Sequence, residues 1–447
     1  MSKNIKEDKK NQYEKGENMF KKISLVTFIA SLFMLLSLSV SASEYKNEVG
    51  VGLVYGKTSR DSLNVSAASG LNIYNAKTGD VLYTSAPGEE VYILMGSTGF
   101  ASIDKFDASG IPEISAQPLE GGIVKCDGKE YRGYIYAKRI SNGELLIINY
   151  VGTDDYVSSV LGREMSYSWP NEALKAQAVC ARNFVLCRGS AHKNYGFDVC
   201  ATTHCQVYGG VASEHENTRR AVEETKGILA TYNGQIVSLY FFATSGGQTE
   251  DVENVWGSPY PYLKSVEDPY ENPEKASKYR WTVTMSRSDI EKRLKSYGMD
   301  VGTLQSITVD STTDSGRVTK MTFHGTSGSK SAKLEKCRTV LGLWSQKFTV
   351  SPDKTSVIVT TAGAAGEPLY ACTGDGIKAV AGYVTQGQDG GTGYVNISAS
   401  GAENYIIEGG GYGHGVGMSQ WGARGMAENG FTYDQILKHY FTDIELG

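Results

Sequence analysis

Positive charge is in short supply. Lysine and arginine number 44 against 49 aspartates and glutamates, a net charge of −5, so there is no electrostatic case for nucleic acid, whose binders carry a basic face. Proline is scarce too. Ten prolines stand beside 52 glycines, which implies many turns built on glycine rather than stiff proline-rich spacers. The cysteines are seven, an odd number at irregular spacings: Cys126, Cys180, Cys187, Cys200, Cys205, Cys337 and Cys372. That excludes a disulfide framework. Cys180 and Cys187 fall on one expected helix, roughly 10 Å apart along its axis at 1.5 Å per residue, beyond disulfide reach. Disorder is excluded as the default, because 40% hydrophobic and 21% charged residues are values for a folded chain. A length of 447 residues suggests about three domains. Twenty-eight tyrosines imply exposed aromatic surface, which suits carbohydrate as well as it suits protein.

What is present begins with the pattern of an export segment over residues 1–43. Lys21 and Lys22 precede an apolar run from Ile23 to Val40, followed by the small residues Ser41, Ala42 and Ser43, the order of a secretory signal. Met19 could be the start of that signal, with residues 1–18 an over-extension. The same run of about 18 residues can just span a bilayer as an uncleaved anchor. Both readings put the rest of the chain outside the cytoplasm, with membrane contact only through this segment.

Residues 48–148 alternate in short β-like runs (VGVGLVYG, EEVYILMG, YRGYIYAK) broken by glycine turns, which predicts an all-β N-terminal module. From residue 149 helical and strand patterns mix, so the expected fold class is α+β, helices packed on β-structure. The stretch 361–400 is rich in Gly, Ala and Thr and reads as a loop-bearing insertion.

The stretch TDDYVSSVLGREMSYSWPNEALKAQAVCAR, residues 153–182, poses a question. Val157, Val160, Leu161 and Glu164 share the i, i+3, i+4, i+7 face of one helix, so an ionisable acid stands where the pattern calls for an apolar side chain. Thr153 can cap this helix. A second helix begins at Asn171 and carries Lys175 and Arg182 on one side, with Glu172 in its first turn. Beside Val160 and Leu161 the Glu164 carboxyl would be partly desolvated and its pKa raised. The plainer reading is an ion pair with Arg163 or Arg182.

Three other clusters stand out. YFFATSGGQTE brings Tyr240, Thr244 and Ser245, without the strand-turn-helix of a nucleophile elbow. GGGYGHGVGMSQWGARG brings Tyr412, His414 and Gln420 on a glycine loop, without the lysine of a phosphate loop. HKNYGFDVCATTHCQVYGG holds His192, Cys200, His204 and Cys205, four ligands of the type that hold a structural tetrahedral zinc. A Cys200–Cys205 disulfide is the competing reading in an oxidising compartment. No His-Glu-x-x-His spacing is present, which disfavours a metalloprotease.

Three blocks occur in order: LGREMSYSWPNEALKAQAVCARNF, YFFATSGGQTEDVENVWG and GYGHGVGMSQWGARGMAENG. Together they resemble the stage II sporulation protein D / LytB-type (SpoIID/LytB) domain of bacterial cell-wall enzymes, over roughly residues 140–447. The resemblance implies a lytic transglycosylase acting on peptidoglycan glycan strands stripped of stem peptides. It implies a single catalytic glutamate, here Glu164, and an extracytoplasmic protein facing the cell wall. Where the family commonly has proline after its Glu-Met pair, this chain has Ser166. Lys175 and Arg182 match groove-facing positions, and Tyr240, Thr244, Ser245, Tyr412, His414 and Gln420 are expected to contact sugar. Some members carry zinc at the His192–Cys205 segment, and no organic cofactor is implied. The alternative is a non-catalytic wall-binding protein that stimulates a partner amidase or glycosidase.

Overall fold

The computed structural model describes residues 47–104, 106–140, 143–188, 192–353 and 402–447, together with the backbone of a hairpin at Pro368–Thr373 and Gly376–Tyr383. The expected export segment, residues 1–43, lies outside the described residues, as does most of the 361–400 stretch. Sheets and helices are both abundant, in keeping with the α+β expectation.

The alternating N-terminal text folds into two sheets. One has seven strands, in the order Val199–Cys200, Glu48–Val54, Leu145–Gly152, Tyr134–Arg139, Glu113–Pro118, Leu71–Asn75 and Val81–Thr84. The other has six, from Lys129–Arg132 to Phe106–Ile111. Period-two alternation puts Leu71, Ile73, Ile114 and Ile135 of the first sheet into the same core as Leu63, Val65, Val91 and Ile93 of the second. That core does not stop at residue 148. Strand Leu145–Gly152 runs directly into helix α1 (Thr153–Glu164), and Val157, Val160 and Leu161 join the same cluster. Gly152 occupies the cap position and Thr153 opens the helix, one residue away from the expected boundary. Helix α2 (Asn171–Cys187) packs against α1 through Leu174, Ala178 and Ala181, all fully buried or nearly so. Burying a leucine such as Leu161 stabilises by about 1.5–3 kcal/mol, and Leu161→Ala would cost about 2–5 kcal/mol with its cavity.

Helix α3 (Glu216–Glu224) starts on His215, whose Nδ1 accepts from the Asn217 amide at 3.1 Å. An Asn-Gly pair turns a hairpin here: Tyr232 faces Gln235, with Asn233 at φ 50° and Gly234 at φ 73°, the left-handed pair of a tight hairpin turn. A second hydrophobic core lies under Trp281–Ser286, Phe348–Pro352 and Asn404–Gly409, paired in one sheet, and under the meander Leu304–Lys333. Helix α4 (Arg287–Ser296) closes it with Ile290 and Leu294, after a Ser286 cap that accepts from Asp289. After a glycine loop come helix α5 (Gln420–Glu428) and helix α6 (Tyr433–Tyr440).

Candidate functional site

Helix α1 is clamped at its C-terminal end. Its Gly162 faces the turn Gly210–Ser213, where an added Cβ would stand 1.8 Å from the Ser213 carbonyl oxygen, so only glycine allows this approach. Ser159 Oγ donates to the Gly210 carbonyl at 3.0 Å and accepts from the Gly209 amide at 3.2 Å. Upstream, Tyr156 donates to Gln206 at 3.0 Å, and Tyr208 donates to Asn149 at 2.7 Å. Residue 207 is thereby pinned between two anchored neighbours, beside the end of α1.

Glu164 is the last residue of that helix and is half-buried. Burial raises its pKa, while the Val207 N–H, the Gln420 side-chain amide and the nearby Arg163 favour the charged form; burial wins. Among the described residues Glu164 makes no ion pair, so neither Arg163 nor Arg182 neutralises it. Val207, whose N–H reaches Glu164, and Arg163, its neighbour in sequence, stand in the wall of a pocket of about 550 Å³ with Lys129, Tyr131, Tyr208 and Gly209; Glu164 itself is not in that wall. Just past the helix end, Tyr167 is 51% exposed and stacks on His215 at 3.8 Å. Trp169 and Trp421 meet at 4.9 Å, with the Arg424 guanidinium over both rings. A carboxyl whose pKa is raised by burial can, in its protonated form, deliver a proton to a leaving oxygen of a bound sugar.

The other expected contacts divide. Gln420 is buried at the start of α5 and addresses Glu164, so it positions the acid rather than presenting itself to solvent. Tyr412 is 44% exposed. Tyr240 and His414 share a ring cluster with Trp256 and Phe242. His414 accepts from the Val416 amide at 3.1 Å, and burial lowers its pKa to about 4, which keeps it neutral.

Four expectations need correction or refinement. Arg182 is fully buried and paired with Asp154 at 2.9 Å, out of reach of any glycan. Lys175 is held by Glu172 at 2.7 Å and Glu224 at 3.6 Å and lies over the Tyr433 ring, which makes it part of a local ion network. Thr244 is buried and donates to the Ser277 carbonyl at 2.7 Å. Ser245 is buried as well, its Oγ accepting from the Gly247 amide at 3.0 Å. The motif turns its hydroxyls inward because the backbone around it serves a buried polar knot. Glu271 accepts from the amides of Ser245 and Gly246 and from Ser419 Oγ. Arg317, fully buried, donates to the carbonyls of Ser245 and Gln248. Neither Glu271 nor Arg317 was singled out from sequence; each sits in an unremarkable turn or strand text, and only long-range contacts bury it.

His192, Cys200, His204 and Cys205 converge, their ligand atoms all within 4.8 Å of one another. Cys200 and Cys205 are free thiols, so the competing disulfide does not form. Cys205 Sγ lies 3.4 Å from His192 Nε2 and 3.5 Å from His204 Nδ1, and Cys200 Sγ lies 3.7 Å from His204 Nδ1. A zinc bound by two sulfurs at about 2.3 Å and two nitrogens at about 2.0–2.1 Å has sulfur–nitrogen edges of roughly 3.6 Å. The donor set therefore fits a tetrahedral zinc. Cys200 belongs to the strand paired with Glu48–Val54, so this cluster sits at the edge of the seven-stranded sheet.

Comparison with known proteins decides the family. The sequence model of the stage II sporulation protein family matches residues 141–232, and that of a domain of unknown function matches residues 270–376. An uncharacterized protein of Brachyspira hyodysenteriae is 32% identical over 308 residues, covering 68% of this chain and 69% of that protein. The chain belongs to the stage II sporulation protein D family. The stage II sporulation protein D of Bacillus subtilis is 28% identical over 313 residues, 66% of this chain and 74% of that protein. The amidase enhancer of Bacillus subtilis is 30% identical over 348 residues, 72% of this chain but only 45% of the enhancer. The family's own stretch holds Glu164, Val207 and the His/Cys cluster, whereas Gln420 and the glycine loop lie beyond it.

Proposed function

We propose that this member of the stage II sporulation protein D family is a peptidoglycan lytic transglycosylase, working outside the cytoplasm on the cell wall. The observation that carries the reading is Glu164: without an ion pair among the described residues, raised in pKa by burial, and held by the amide of Val207, a residue in the wall of an open pocket. In its protonated form Glu164 donates to the glycosidic oxygen as the bond from C1 of muramic acid breaks. The resulting carboxylate then takes the proton of the muramic C6 hydroxyl as that oxygen attacks C1, closing a 1,6-anhydro ring. No water is consumed, and one carboxyl serves both steps, unlike the paired carboxylates of ordinary glycosidases. Gln420 and the Val207 amide stabilise the carboxylate form midway.

The cluster His192, Cys200, His204 and Cys205 would hold one structural zinc, which would tie the 192–205 segment together. No proton transfer involves it. Elemental analysis should return one zinc per chain, and a clean zero removes the ion from the reading.

Incubation of the secreted chain with stem-peptide-free glycan strands should release products with 1,6-anhydro ends, read by mass. Glu164→Gln should abolish them; undiminished product from that variant would refute the assignment. The amidase enhancer likeness supports a second reading, a wall-binding protein that stimulates a partner amidase. It predicts no product from either form, together with faster amidase turnover on addition of the chain.

A further inference from the structure

A second pocket, of about 460 Å³, lies between the sheet that contains Trp281–Ser286 and the glycine loop. Arg280, Trp281, Lys347, Phe348, Glu408 and Gly410 are in its wall. Its two cations converge: Arg280 Nη1 and Lys347 Nζ each donate to the carbonyl oxygen of Gly246, both at 3.1 Å. Among the described residues neither forms an ion pair. A third cation lies beneath them. Arg317 is fully buried, and its hydrogen-bond partners are the carbonyls of Ser245, Gln248 and Thr249 and the Ser315 hydroxyl. Burial, then the charges of Arg317 and Arg280, lowers the Lys347 pKa to about 8, the mark of a cation short of an anion. The single acid in the wall, Glu408, is exposed; Glu250 and Glu271, buried outside the wall, offset part of the charge of Lys347 and Arg317, against three cations in all.

We infer that this pocket binds a carboxylate of the glycan substrate between Arg280 and Lys347, with Trp281 and Phe348 as the apolar wall beside it. The inference rests on the proposed substrate class and names the part of that substrate the pocket would read. Muramic acid carries a lactyl ether whose carboxylate is free only after the stem peptide is removed. An intact stem peptide offers carboxylates of its own at its far end. The recognising chemistry is the same in both, a planar carboxylate between two donors, and a charge-assisted bond of this kind is roughly twice as strong as a neutral one.

The test uses the full chain carrying Glu164→Gln, so that ligands survive, and calorimetric titration with four tetrasaccharides. These are the stripped GlcNAc–MurNAc strand, the same strand with its lactyl groups as methyl amides, the stem-peptide-bearing strand, and chitotetraose. Adding Arg280→Gln and Lys347→Gln together should weaken binding of a carboxylate-bearing strand about tenfold or more, with chitotetraose unchanged. If the stripped strand shows the loss and its methyl amide binds the parent equally weakly, the lactyl group is the source. A loss confined to the stem-peptide-bearing strand assigns the pocket to a peptide carboxylate. Carboxylate strands that bind the double variant as tightly as the parent overturn the inference. Arg280 is exposed, so Arg280→Gln alone gives the answer should Lys347→Gln disturb folding, and Lys347→Arg should restore affinity. The transglycosylase reading is scored separately, with Glu164 intact. Parental yields of anhydro ends and unchanged affinity in the double variant sink the pocket alone. Carboxylate-dependent binding without any anhydro ends sinks the reaction alone.

Discussion

Glu164 and Glu271 are both carboxyls whose pKa is raised by burial, and the molecule uses them in opposite ways. Glu164 is only half-buried, has two donors near it and no cation paired to it among the described residues, and one of those donors, Val207, stands in a pocket wall. Glu271 is almost fully enclosed, accepts three hydrogen bonds, and is pushed up further by the charge of Asp268. A raised pKa therefore marks a buried acid, and access decides whether that acid can do chemistry. The two are also connected. Ser419 donates to Glu271, and the next residue, Gln420, addresses Glu164, so the enclosed carboxyl holds the support of the accessible one.

Substitutions can break this contrast in order of effect. Glu164→Gln should lower turnover on stripped strands by about 10²–10⁴-fold, the range of a lost general acid, with the melting temperature nearly unchanged. Glu271→Ala should do the reverse in kind. It leaves the Ser245 and Gly246 amides without their acceptor, at about 2–4 kcal/mol of stability in chemical denaturation, and activity falls only through the loosened loop. The pH dependence separates the pair as well. Asp268 and Glu271 have folded values of about 6 and about 7, above their ordinary ones. Their contribution is fully present below the unfolded pKa and lost as pH rises through the folded values. Melting temperature should therefore fall by about 5 °C between pH 5 and pH 8, and Glu271→Gln should flatten that slope. A slope that steepens with rising pH in the stabilising direction would refute the assignment. Gln420→Ala removes a donor that favours the Glu164 carboxylate, so the alkaline limb of the pH–rate profile should move to higher pH. The smallest effect belongs to Lys175→Ala: its partners Glu172 and Glu224 are on the surface of the helical block, and stability should change by about 0.5 kcal/mol or less, with turnover within about twofold of the parent.

Much of this was legible in the amino-acid text where the determinants are local. Helix α1 with its out-of-place glutamate, the start of α2 at Asn171 and the glycine loop all rest on neighbours within a few residues. The inward turn of Thr244 and Ser245 was not legible, because their partners, Ser277 and Glu271, lie in a separate turn. The buried pairing of Arg182 was not legible locally, since the Asp154 that claims it depends on how α1 crosses α2. Val207 could not have been named at all, for it acts through a backbone amide, and every residue but proline has one. The shared core across residue 148 escaped notice for a similar reason. Strand Leu145–Gly152 looks like the last element of a β module and is also the footing of the first helix.

Strand Glu48–Val54 pairs on one side with Leu145–Gly152 and on the other, in parallel, with Val199–Cys200. During synthesis it emerges early and must wait for roughly a hundred residues before its first neighbour exists, and for more before its second, the kind of long-range pairing that slows folding. The sheet on which α1 stands thus cannot close before residue 200 has been made. A chain cut short before residue 199 would leave that strand with one side open.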